Sequence, residues 1–126
     1  MTSPTWTLSE DRKLVIVTFP TTPEVRLELP AEEVAKLIAG LCELRAHLEP
    51  PVPMEFPLGQ AVGAISDPRW AAEPELLLGQ SLLHLRHPGL GWLHFVLPQN
   101  EARTLGQLLQ AQADAPLPGQ SSGMAN

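Results

Sequence analysis

The sequence predicts an α+β fold: two repeated β-hairpin(-strand)-helix units forming an antiparallel sheet, with the helices packed on one face. Three observations carry that expectation. Residues 82–97 (LLHLRHPGLGWLHFVL) place two apolar-rich runs on either side of a Pro-Gly turn, the pattern of a hairpin. That hairpin runs straight into Pro98, a residue suited to a helix start because its missing N–H is not needed there. Finally, shifting the sequence by 68 residues brings an earlier stretch into register without a gap. Pro20 then meets Pro88, Leu29-Pro30 meets Leu97-Pro98, Glu33 meets Glu101, Leu37 meets Leu105 and Leu41 meets Leu109. Hairpin strands are antiparallel neighbours, and a helix after each pair can cover a sheet face. The expected organisation is one domain over residues 1–113, repeated as 13–45 and 81–113, with 114–126 as a disordered tail of Pro, Gly, Ser and Gln.

In chain order, residues 6–8 suit a short strand and residues 9–12 a polar turn. Residues 13–19 (KLVIVTF) are rich in β-branched side chains and predict a strand. Residues 24–29 alternate, with Val25, Leu27 and Leu29 toward a core and Arg26 and Glu28 outward. A three-residue turn between these strands would set Val17 opposite Val25 and Val15 opposite Leu27. Pro30 opens a helix whose first turn holds Glu32 and Glu33, at the positive end of its dipole. Val34, Leu37, Ile38, Leu41, Leu44 and Leu48 fall on one stripe, flanked by the small residues Ala35, Ala39, Cys42 and Ala46. Cys42 is expected to be a buried small apolar residue rather than a nucleophile. Pro50 and Pro51 end the helix.

Residues 50–74 are broken by prolines, with a possible edge strand at 54–58 and a packed connection anchored by Ile65 and Trp70. Strands are expected at 75–78, 81–87 and 92–97. A second helix follows Pro98, with Ala102, Leu105, Leu108 and Leu109 as its stripe. The predicted core includes Val17, Leu37, Leu41, Leu85 and Phe95.

Composition narrows the function classes. A net charge of −6 argues against a protein that coats nucleic acid or anionic membranes. No apolar run is long enough to cross a membrane, and the first residues lack the basic and apolar segments of a secretory signal. One cysteine allows no internal disulfide and fits a cytoplasmic location.

The second hairpin carries the candidate site. With Pro88-Gly89-Leu90 as its turn, one face shows His84 opposite His94, Arg86 opposite Trp92 and Leu82 opposite Val96, with no carboxylate among them. Two facing imidazoles suit a pH-sensitive pair, or two ligands of a metal site. No further ligand accompanies them at metal spacing, so neither metal nor cofactor is expected. Ordinary solvated strand histidines are the plainer reading. Arg86 over Trp92 suits a cation–π pair, and the set forms a basic-aromatic platform of the kind that holds a partner or a single strand. No nucleophile elbow, phosphate loop or paired carboxylate is present, so no catalytic residue is assigned.

Strands followed by a helix, twice over, resemble the element order of PUR-type and Whirly single-stranded nucleic-acid binders. The resemblance is in order alone, without a shared motif and against the acidic charge, so neither family is assigned. Small size and acidity are similar to those of secretion chaperones, whose N-terminal helix is missing here. The expected function is therefore non-enzymatic protein–protein interaction or assembly, adaptor- or chaperone-like. The expected partner is a second copy or another protein, held on the face of Leu82, His84, Arg86, Trp92, His94 and Val96. The alternative is a module that binds a ligand or single-stranded nucleic acid on His84, Arg86, Trp92 and His94.

Overall fold

The computed structural model describes residues 3–116. The chain divides between residues 62 and 63 into two compact units. The first holds β1 (Thr5–Leu8), β2 (Leu14–Phe19), β3 (Val25–Pro30) and α1 (Ala31–Arg45). The second holds β4 (Trp70–Glu75), β5 (Gln80–His87), β6 (Gly91–Leu97) and α2 (Gln99–Asp114). The fold is α+β, as expected. The strands form two three-stranded antiparallel sheets, ordered β1-β2-β3 and β4-β5-β6, in place of the one shared sheet. The expected tail lies outside the described residues from 117 onward, and α2 extends to Asp114.

The turn between β1 and β2 is tied by its own side chains. Ser9 Oγ donates to Asp11 Oδ1 at 2.7 Å, the Lys13 N–H donates to the same oxygen, and the Leu14 N–H donates to Ser9 Oγ. The Ser9 hydroxyl, and then the Lys13 amide, hold the Asp11 carboxyl below its usual range. A lowered folded-state pKa means the contribution is present above the ordinary aspartate range. It is lost as pH falls through the folded value.

The first hairpin departs from its expected register. Val17 pairs with Leu27 and Val15 with Leu29, and residues 20–24 form the link. Pro23 has no N–H to give to Phe19, so the ladder closes two residues later, at Val25. A shift of two residues leaves every side chain on its expected face. The β4–β5 connection also differs. Of the predicted strand at 75–78 only Glu75 is strand, the last residue of β4; residues 76–78 lie in a turn, where the Glu75 carboxylate accepts from the N–H groups of Leu77 and Leu78 at 2.7 and 2.8 Å. Gly79 closes that turn with φ +69°. Leu76, Leu77 and Leu78 consequently stand exposed to solvent.

Helix α1 begins just after Pro30, with Glu32 and Glu33 in its first turn and Arg45 in its last. Val34, Leu37, Ile38 and Leu41 line a cavity of about 390 Å³ with Trp6, Val15 and Leu29 of the sheet. In the second unit, Gln99 Nε2 donates to the Gly79 carbonyl at 2.7 Å, tying the start of α2 to the β4–β5 turn.

The expected core is only partly realised. Val17, on the central strand, is fully buried at 2% exposure, and Leu85 is half-buried. Leu37, Leu41 and Phe95 are exposed, Leu41 at 61%. No residue of α1 is buried, because nothing among the described residues closes over its outer flank. Cys42, expected inside, is exposed for the same reason. A fully buried leucine cut to alanine costs about 2–5 kcal/mol. Leu41→Ala should cost only about 1–2 kcal/mol in this setting, a fraction scaled to its burial. Denaturant unfolding of that variant tests this, and a loss near the full value would mean that something covers Leu41 in the native protein.

Residues 46–69 form no helix or strand, so the edge strand considered at 54–58 is absent. Ile65 and Pro68 line a hollow of about 240 Å³ with Leu85 and Leu93, but Ile65 is itself exposed and so is not the buried anchor expected. Trp70 instead opens β4 and stays exposed.

Candidate interaction face

The register of the second hairpin is the expected one. Leu82 pairs with Val96, His84 with His94, and Arg86 with Trp92. The turn of residues 88–90 is held by His87, whose Nδ1 accepts from the N–H groups of Gly89 and Leu90 at 3.0 Å each. Gly91 leaves the turn at φ +78°, a conformation that favours glycine.

Strand β4 adds a third column that changes the chemistry of this face. Ala71 pairs with His84, Glu73 with Leu82 and Glu75 with Gln80. The Arg86 N–H donates to the Arg69 carbonyl at 2.9 Å, which carries the ladder one residue beyond the strand. The face therefore has rows across β4, β5 and β6. Arg69, Arg86 and Trp92 form the first, Ala71, His84 and His94 the second, and Glu73, Leu82 and Val96 the third. The absence of carboxylate expected from the hairpin alone is thus corrected by Glu73. Alternation in residues 70–75 places Ala71, Glu73 and Glu75 on one side, but the apolar run after it disguised where the strand ends.

At the centre, His84 bridges two partners. Its Nε2 lies 3.1 Å from Glu73 Oε2 and its Nδ1 lies 2.8 Å from His94 Nδ1, with the rings edge to face at 5.0 Å. The carboxylate can only accept, so Nε2 of His84 carries a hydrogen. With both rings neutral, Nδ1 of His84 is then an acceptor, and His94 donates from Nδ1. Adding a proton to each ring would set two N–H groups against each other across 2.8 Å and must part the rings. We expect nitrogen-15 NMR at neutral pH to show His84 as the Nε2–H tautomer and His94 as the Nδ1–H tautomer. Reversed assignments would contradict this network.

Among the described residues, no group of three or more His, Cys, Asp or Glu is placed to hold a metal ion. The Arg86–Trp92 contact is a cross-strand pairing rather than a stacked one, since the guanidinium donates to the His87 carbonyl instead. Arg86, Trp92, His94, Val96 and Glu73 are exposed, while Leu82 and His84 are half-buried. Beside the first row, Asp67, Pro68, Arg69, Trp70 and Trp92 line an open hollow of about 500 Å³. No helix among the described residues is long and apolar enough to cross a membrane.

Comparison with protein families, with curated proteins and with solved structures found no match for the chain.

Proposed function

We propose that this protein is a non-enzymatic assembly protein that works as a homodimer or larger homo-oligomer. One observation carries the reading: the amount of apolar side chain left in water. Val17 is the one described apolar residue that is fully buried. Trp6, Leu27, Leu41, Leu44, Trp70, Leu77, Phe95 and Val96 are all exposed. Apolar area on that scale marks contact sites. We also infer that the two units descend from one plan, repeated at an offset of 68. In support, Pro30 and Pro98 each stand just before a helix, at Ala31 and Gln99.

Light scattering on the purified chain tests the assembly reading. A mass of at least two chains at micromolar concentration is expected, and a 13.7 kDa particle under the same conditions would overturn it. A second reading, a ligand or single-stranded nucleic-acid site, draws on the hollow where Arg69 lies beside Trp70 and Trp92. Asp67 weakens it, because it places a negative charge in the hollow where a phosphate would approach.

A further inference from the structure

The face built by β4, β5 and β6 is graded in charge along the strands. Arg69 and Arg86 occupy one end, the His84–His94 pair the middle, and Glu73 the other end, with Glu75 one row beyond. We propose that this face binds the same face of a second copy, about a twofold axis that runs across the strands along the row Ala71, His84 and His94. The proposal rests on the assembly reading and assigns it a surface and an orientation.

Symmetry selects among the ways two such faces can meet. Two sheets packed face to face lie about 10 Å apart with their strands roughly aligned. A twofold axis parallel to the strands would keep each row opposite its own copy, so Arg86 would face Arg86 and like charges would meet. An axis across the strands exchanges the first row with the third. Arg69 then meets the partner's Glu73, Arg86 meets the partner's Leu82, and Trp92 meets the partner's Val96. Charge meets opposite charge on β4, and apolar area meets apolar area on β6. On β5, the aliphatic stem of Arg86 can lie along leucine. The middle row meets itself, and the small Ala71 leaves room beside the imidazoles. An isologous interface requires this self-complementarity, and opposed charges set its register.

A charge-swap experiment tests the orientation. Arg69→Glu sets two glutamates against each other at each end of the interface, and Glu73→Lys sets lysine against arginine. Both positions are exposed, and circular dichroism checks that each variant keeps its fold. Each variant alone should weaken self-association by at least about tenfold in sedimentation, while an equimolar mixture should associate within about threefold of wild type. Glu73→Gln, which removes the charge without reversing it, should fall between wild type and Glu73→Lys. If wild type dimerises but either variant keeps its affinity, or the mixture stays monomeric, the proposed face and axis are wrong and the assembly reading stands. A monomeric wild type overturns both.

Discussion

Val17→Asp is expected to unfold the first unit. Val17 lies on the central strand of the first sheet, between Trp6 and Leu27, and is the single described residue wholly withdrawn from water. A carboxylate there would be desolvated with no cation opposite it, at a cost of several kcal/mol. That is of the same order as the whole stability of a small domain. Amide exchange should show protection lost across β1, β2, β3 and α1. Val17→Ala removes volume without adding charge and should leave the unit folded but weakened by about 1–3 kcal/mol. A Val17→Asp protein that keeps protected amides in β2 would show that the core lies elsewhere.

Trp92→Glu has the second largest expected effect, on association rather than on folding. Trp92 is exposed, so the substitution removes no packed core, and the new carboxylate would stand opposite Arg86 on the neighbouring strand. Buried tryptophans are frequent anchors of interfaces, worth about 2–4 kcal/mol when truncated, or roughly 30- to 1,000-fold in Kd. The variant should be a folded monomer at concentrations where the wild-type chain is dimeric. Unchanged affinity would remove Trp92 from the interface.

How much of this was legible in the sequence differs from element to element. The second hairpin could be read to the residue, because a three-residue turn leaves one register and His87 and Gly91 stabilise it locally. The first hairpin was displaced by two because the pattern of apolar residues is indifferent to even shifts. The missing N–H of Pro23 decided between them. The helix starts were legible from Pro30 and Pro98. The end of β4 was not, since Leu76, Leu77 and Leu78 read as strand while the Glu75 carboxylate bends their backbone into a turn.

The site was legible by half. Its two columns on β5 and β6 follow from the hairpin, whereas Glu73 and Arg69 arrive from a strand whose register nothing local specifies. Burial was the least legible property. The stripe of Leu37, Leu41 and Leu44 says that a helix face is apolar. It does not say what covers it, and all three residues are exposed.

Apolar surface left in water favours assembly, and the concentration dependence of unfolding reads assembly out. If folding is coupled to association, mass action stabilises the native state as protein concentration rises. The denaturant midpoint of the wild-type chain should climb steadily from low micromolar to high micromolar concentration, and Trp92→Glu should flatten that climb. A wild-type midpoint that does not move over this range would overturn assembly, since the native chain would then be stable with its apolar faces in water.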